Sequence, residues 1–319
     1  MNNILVTGGC GFIASNFLNF VIKKYKNINF YNLDVLYYCS NENNIDIENR
    51  NSSNYKFIKG NINNKELVDL ILNTYNIDTI IHFAAQSHVD NSFSNPIQYT
   101  KDNILGTHNL LECVREYRKI KKFIHVSTDE VYGESQCPET DIKNEKSKLN
   151  PTNPYAATKA SAEMLINSYM YSYNIPVIIT RGNNVYGPRQ YPEKLIPKFI
   201  LNLLNNKKCP IHGMGLTERS FLYVDDVVEA FDLILVKGKI GEIYNIGTNY
   251  EYSVLSITKK LIKKIKNTEE IDAFVEYVED RKYNDKRYSI SFDKLSKLGW
   301  KQKIFIEEGL KKTIDFLKK

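Results

Sequence analysis

The sequence predicts an α/β protein, a doubly wound parallel sheet with a smaller C-terminal lobe. Three observations predict it. Short β-branched runs alternate with longer amphipathic stretches through residues 3–180. A glycine-rich turn, Thr7-Gly8-Gly9-Cys10-Gly11, joins the first run to the second. After about residue 182 the alternation loosens, and helical patterns interleave with shorter strands. Alternating strands and helices imply a parallel sheet covered on both faces and wound by right-handed crossovers.

In order, residues 3–7 read as a buried strand and 12–25 as a helix. Strands follow at 29–33 and 55–59, a helix at 65–75 and a strand at 78–82. A long helix is expected over 97–117, a strand over 122–127, a second long helix over 153–173 and a strand over 176–180. Later helical patterns cover 193–205, 224–235, 254–265 and 306–317. The asparagine-rich stretch 41–54 is poor in apolar residues and reads as a surface loop. The expected division is a cofactor domain over 1–182, with 221–248 returning to it. Residues 183–220 and 249–319 would form the substrate lobe.

The chain has 319 residues, 42% hydrophobic and 25% charged, which suits a globular protein with a large core. No run of 18 apolar residues exists, so no transmembrane helix is expected. The first residues, Met1-Asn2-Asn3-Ile4, lack the pattern of a secretory signal. Five cysteines, at 10, 39, 113, 137 and 209, form no CxxC pair and no metal-ligand spacing. That points to a reducing compartment, hence a cytoplasmic protein without metal. The net charge of +6 is spread along the chain. Lys259-Lys260 and Lys263-Lys264 read as a solvated helix face, and no motif calls for nucleic acid.

Gly8 and Gly11 carry the spacing of a strand–turn–helix phosphate loop, with Ala14 as the third small position. Gly8 allows the tight turn, and Gly11 lets backbone approach a pyrophosphate at the helix N-terminus. Asp34 ends the second strand. A carboxylate there accepts from both hydroxyls of an adenosine ribose and repels a 2′-phosphate, which favours NAD over NADP. Ala84 and Ala85, in His82-Phe83-Ala84-Ala85-Gln86, leave room for a flat cofactor at a strand end. His82 reads as a buried structural histidine, since no partner ligands stand at suitable spacing.

Tyr155 and Lys159 are four residues apart in a helical segment and share one face. An ammonium and the positive ring of an oxidised nicotinamide would stabilise a phenolate, making Tyr155 a base toward a sugar hydroxyl. Asp129 and Glu130 lie in Ser127-Thr128-Asp129-Glu130-Val131-Tyr132-Gly133, at the end of the fifth strand. Ligands of open α/β sheets bind at that edge. Two adjacent carboxylates can divide acid and base work when their environments separate their pKa values.

These residues resemble the extended short-chain dehydrogenase/reductase superfamily and its Rossmann-type fold. More narrowly they resemble the nucleotide-sugar 4,6-dehydratases. The likeness runs nearly end to end, through TGGCGFIAS at 7–15, HFAAQSHVDNS at 82–92, STDEVYGE at 127–134 and NPYAATKA at 153–160. It continues through RGNNVYGP at 181–188, PEKLIPKFI at 192–200, RSFLYVDDVVEAF at 219–231, YNIGT at 244–248 and RKYNDKRY at 281–288. The resemblance implies a catalytic set of Thr128, Asp129, Glu130, Tyr155 and Lys159. Tyr155 would deprotonate the glucose C4 hydroxyl, Thr128 would hydrogen-bond that oxygen, and Lys159 would hold the cofactor ribose. Glu130 would remove the C5 proton, and Asp129 would protonate the departing C6 hydroxyl. Gly8, Gly11, Phe12, Ile13, Asp34, Asn61, Ile62, Phe83, Ala84 and Ala85 would contact the cofactor, together with Tyr155 and Lys159. Ser87, Thr128, Asn184, Lys194, Leu195, Arg219, Arg281, Asn284 and Asp285 would contact the nucleotide sugar. The resemblance also implies a homodimer built from the two long helices.

Some segments depart from the bacterial dTDP-glucose enzymes. HFAAQ, RGNNVYGP, KYND and LDVLYYCSN look more like the dehydratase part of plant-type UDP-rhamnose synthases. UDP-glucose is therefore the expected substrate and dTDP-glucose the alternative. In Cys209-Pro210-Ile211-His212 the histidine stands where the bacterial enzymes usually have tyrosine. Asn61 replaces the usual aspartate at the adenine, which predicts weaker adenine binding. No second glycine loop with its own YxxxK follows, so a separate epimerase and reductase would act downstream. A nucleotide-sugar 4-epimerase or a sugar decarboxylase would share the glycine loop and YxxxK without needing Asp129 and Glu130. A non-catalytic NAD-binding protein would not need the full set.

Overall fold

A computed structural model describes residues 1–135, 141–279 and 287–319. Twelve strands are described: β1 Asn3–Thr7, β2 Asn29–Asp34, β3 Tyr55–Lys59, β4 Thr79–His82, β5 Lys122–Thr128, β6 Val177–Gly182, β7 Asn184–Tyr186, β8 Cys209–His212, β9 Glu218–Tyr223, β10 Ile243–Ile246, β11 Glu251–Ser253 and β12 Val275–Val278. Seven of them form one parallel sheet in the order β10-β6-β5-β4-β1-β2-β3. The order reverses between β1 and β4, where Thr7 pairs with His82. The crevice at that reversal is where an open α/β sheet receives ligands.

Alternation along β1 shows how the sheet is covered. Ile4 and Val6 pack with Phe17, Leu18 and Val228, from the helices Phe12–Lys24 and Val224–Lys237. Leu5 packs on the other face with Val68, Leu110 and Ile166, from the helices Lys65–Thr74, Gly106–Tyr117 and Pro154–Tyr173. Both faces are therefore dry, which is why these strands read as continuous apolar runs. A three-stranded sheet, β11-β9-β7, and a parallel pair, β12-β8, form the smaller layer beside the strand ends.

Two expectations need correction. Residues 41–54 are not a plain surface loop. Asn41 caps a short 3-10 turn, Glu42–Asn44, and Ile47–Arg50 forms a helical turn. Ile45 is fully buried, and Asn54 Nδ2 donates to the carbonyls of Ile22, Tyr25 and Ile28 at 3.3, 3.0 and 3.2 Å. The asparagines serve as partners for open backbone groups at the end of the first helix. The stretch 97–117 is not one α-helix either. Short helices Val89–Ser94 and Pro96–Tyr99 lead into a π-helical segment, Thr100–Leu105, and only then into Gly106–Tyr117.

Among the described residues, no helix is long and apolar enough to cross a membrane. Among the same residues, no cluster of three or more potential metal ligands occurs. Lys260 and Lys264 both pair with Glu307, and Lys263 pairs with Glu269, so that helix face is partly neutralised.

Candidate active site

Two pockets, of about 360 and 250 Å³, meet at the carboxyl ends of β1, β4 and β5. The smaller is built on the glycine turn. Gly8 has φ +71°, and a Cβ there would stand 2.7 Å from the Ala84 backbone, so only glycine lets the turn and the β4 end approach. The helix Phe12–Lys24 begins at Gly11 with no side-chain cap. Its first N–H groups are left for an anion. Gly8, Gly11, Phe12, Ile13, Asp34, Asn61, Ile62, Phe83, Ala84, Ala85, Tyr155 and Lys159 all line this pocket.

Asp34 is held in place before any ligand arrives. Its Oδ2 accepts Cys10 N–H at 2.9 Å, and its Oδ1 accepts Leu36 N–H at 2.7 Å and Ser40 Oγ–H at 3.1 Å. Leu36 adopts a left-handed φ of 59°, which turns residues 36–40 back over the carboxylate. These bonds use three of about four acceptor sites on the carboxylate, and Asp34 lines the pocket. A glycine cradle at a helix N-terminus, a preset carboxylate and small residues at the β4 end together fit a dinucleotide.

The larger pocket runs from the β5 end into the smaller lobe. Ser87, Thr128, Glu130, Tyr155, Asn184, Lys194, Leu195 and Arg219 line it. Ser87, Tyr155 and Lys194 line both pockets. Arg219 lies 5.1 Å over the Tyr288 ring, and its Nη1 donates to the Glu218 carbonyl at 2.7 Å. Lys194 Nζ donates to the Ser87 carbonyl at 2.9 Å, tying the lobe to the β4 loop. Arg281, Asn284 and Asp285 lie outside the described residues.

The acidic pair divides at the pocket wall. Glu130 faces the pocket, and its Oε2 accepts from Asn153 Nδ2 at 2.9 Å. Asp129 packs one layer back, where Oδ2 accepts from Asn183 Nδ2 at 2.6 Å and Oδ1 from Thr128 Oγ1 at 3.3 Å. Burial first, then the Glu130 charge, pushes Asp129 up to about 7. The pair thus meets the condition for splitting acid and base roles.

The Tyr155–Lys159 pair is strongly desolvated. Burial and then the Glu130 charge push the phenol above its ordinary range, and a Thr128 hydrogen bond opposes this. Lys159 Nζ donates to the Val126 carbonyl at 2.7 Å and lies 3.4 Å from His125 Nε2. Burial lowers its pKa to about 8, so it remains charged at neutral pH. Burial opposes ionisation of this phenol, which is why the expected base role calls on two positive charges, the Lys159 ammonium and an oxidised nicotinamide ring.

Several residues at the site escaped the sequence reading. Asn153 caps the Pro154–Tyr173 helix by accepting Ala156 N–H at 2.8 Å, and it orients Glu130 with its other amide atom. Its signal was the Asn-Pro start of a helix. Asn103 accepts Gln86 N–H at 2.7 Å and donates to Gln86 O at 3.0 Å and Thr158 Oγ1 at 2.9 Å. Nothing in the helical periodicity announced it. His82 is buried between Thr7 Oγ1 at 2.7 Å and Thr107 Oγ1 at 3.0 Å, and burial lowers its pKa to about 3.

A doubly wound sheet with a dinucleotide cradle, joined to a pocket carrying a buried acid–base set, defines a nucleotide-dependent α/β enzyme. The chain belongs to the GDP-mannose 4,6 dehydratase family, whose model matches residues 5–313. It is an NAD-dependent nucleotide-sugar 4,6-dehydratase by class. A dTDP-D-glucose 4,6-dehydratase of Dictyostelium discoideum is 48% identical, with 100% of this chain and 82% of the relative covered. The human dTDP-D-glucose 4,6-dehydratase is 51% identical over 98% of this chain and 89% of its own length. A trifunctional UDP-glucose 4,6-dehydratase, 3,5-epimerase and reductase of Arabidopsis thaliana is 51% identical over 98% of this chain. The chain spans only 47% of that relative's length. The crystal structure of a Bacillus anthracis dTDP-glucose 4,6-dehydratase in complex with NAD superposes with TM-score 0.90 and 39% identity, covering 100% of this chain and 97% of that one.

Proposed function

We propose that this protein converts UDP-glucose to UDP-4-keto-6-deoxyglucose and water, with NAD held in the smaller pocket. The observation that carries this reading is the acidic pair at the β5 end, with Glu130 on the wall of the larger pocket alongside Tyr155 and Asp129 buried behind that wall. An epimerase has no water to remove and no use for two carboxylates there. NAD, when bound, supplies hydride acceptance from C4 and hydride return to C6. Tyr155 takes the C4 hydroxyl proton, and Thr128 hydrogen-bonds that oxygen. Glu130, steadied by Asn153, removes the C5 proton acidified by the C4 ketone and later restores it. Asp129 is protonated near neutrality and supplies the proton for the departing C6 hydroxyl.

UDP-glucose is preferred because the segments HFAAQ, RGNNVYGP and LDVLYYCSN look like those of the plant-type dehydratases. The second reading is dTDP-glucose, the substrate in the names of the Dictyostelium and human relatives. One methyl separates the bases, so discrimination between them is modest. A homodimer is also proposed, through the helices Gly106–Tyr117 and Pro154–Tyr173. Met164 and Tyr171 stand 58% and 80% exposed on the second of these. The keto sugar would then be a substrate for epimerase and reductase chemistry. Mass spectrometry of the protein incubated separately with UDP-glucose and dTDP-glucose, NAD supplied, tests the reading. Loss of one water without net NADH is the expected result, faster with UDP-glucose. An isobaric product would sink it in favour of an epimerase.

A further inference from the structure

One side chain serves a helix start and a pocket carboxylate at once. Asn153 Oδ1 accepts Ala156 N–H at 2.8 Å, which caps the Pro154–Tyr173 helix. Its Nδ2 donates to Glu130 Oε2 at 2.9 Å. The two bonds fix the sense of the amide. A backbone N–H can only donate, so the oxygen must face the helix and the NH2 must face Glu130. The residue has little freedom to move. Asn153 is 6% exposed, and Pro154 behind it confines its backbone to the extended region, where φ is −134° and ψ 161°.

Tyr155 stands two residues into the helix that this cap begins. Its backbone N–H donates to Ser92 Oγ at 3.3 Å, and Ser92 Oγ donates to the Val89 carbonyl at 2.6 Å. Asn153, Tyr155 and Glu130 all line the larger pocket. One end of the amide thus sets where the helix bearing the phenol starts, and the other end holds the carboxylate. In the proposed reaction the phenol acts at C4 and the carboxylate at C5, on neighbouring ring carbons. The sugar must suit both groups without shifting between the two steps. A misplacement of about 1 Å can cost on the order of 10²-fold in rate.

We propose that Asn153 is a positioning residue that holds Glu130 in register with Tyr155, so that its Nδ2 donor serves the C5 step and its Oδ1 serves the fold. The inference rests on the dehydratase reading above. The two duties separate by substitution. Serine caps a helix about as well as asparagine but is too short to reach Glu130 with a donor. Aspartate also caps and brings no donor.

Rapid-quench mass spectrometry of Asn153→Ser with NAD and UDP-glucose tests it, beside thermal unfolding of the same protein. The thermal midpoint should match the wild type, because the cap is kept. Oxidation at C4 should keep its rate while C5 proton removal slows by about 10–10²-fold. A 4-keto sugar still carrying its C6 hydroxyl should then build up in the variant and not in the wild type. Deuterium at C5 of the substrate should slow the variant more than the wild type. Wild-type kinetics with no such keto sugar would make Asn153 a helix cap only and overturn the proposal. Equal slowing of the C4 and C5 steps would place the loss in the helix and overturn it as well. If circular dichroism shows Asn153→Ser unfolded, Asn153→Asp carries the same comparison. A wild type that dehydrates neither UDP-glucose nor dTDP-glucose overturns the dehydratase reading itself. A dehydrating wild type beside an unaffected Asn153→Ser removes the positioning role alone.

Discussion

Tyr155 is a phenol whose surroundings oppose its ionisation, since burial and Glu130 both raise its pKa. A base built this way works only when a positive charge stands beside it, which couples its activity to the oxidised cofactor. Replacing Tyr155 with phenylalanine should lower kcat by about 10²–10⁴-fold. Retained NAD and the thermal midpoint should stay unchanged, and a matching fall in bound NAD would instead make Tyr155 a cofactor anchor. Asp129 gives a second prediction. Its folded pKa of about 7 lies above the ordinary carboxylate value, so the native state keeps a proton that the unfolded chain releases. Its contribution to stability therefore falls as pH rises from about 4 to 7 and is level above that. Asp129→Asn should flatten this slope in urea unfolding between pH 5 and 8, and an unchanged slope would assign it to another group. Asp129 and Glu130 were legible as a motif, but their different depths were not. Adjacent positions in a sequence carry no information about which one reaches a pocket wall.

At the scale of elements, the π-helical segment Thr100–Leu105 is the clearest case of structure overruling pattern. The apolar spacing supported a continuous helix from 97 to 117. The π turn instead aims Asn103 at the loop after β4, where it meets both backbone groups of Gln86. Such turns are frequent at functional sites because they redirect side chains without ending the helix. Asn103→Ala leaves two backbone groups of a half-buried loop without partners, at a cost of about 1–3 kcal/mol. The expected outcome is a lower urea midpoint together with faster loss of bound NAD, followed by fluorescence. A lower midpoint with unchanged NAD loss would restrict Asn103 to folding. The asparagine-rich stretch 41–54 failed to read correctly for a similar reason. Its composition resembles a solvated loop, yet the amides answer carbonyls of a helix that lies earlier in the chain.

For the whole molecule, the exposed apolar residues on the Pro154–Tyr173 helix carry the prediction. Met164→Glu combined with Tyr171→Glu should convert a dimer to a monomer in light scattering, with the fold kept by circular dichroism. A wild type that is already monomeric would remove the dimer from the reading. The sequence alone determined the sheet and its helices, because strands buried on both faces must be continuously apolar and helices must show their period. It also determined the glycine turn and the two-residue acid motif, because those chemistries need particular residue types at short spacing. Only the tertiary structure decided that Asp129 sits behind Thr128 while Glu130 faces the pocket, and that Asn103, Asn153 and Asn183 hold the loop and the two carboxylates. Those partners come from residues distant in the chain, and a hydrogen bond depends on where backbones cross rather than on any local period. The same holds for the meeting of the two pockets. It arises where β1 and β4 part and the smaller lobe folds over their ends, a juxtaposition set by packing.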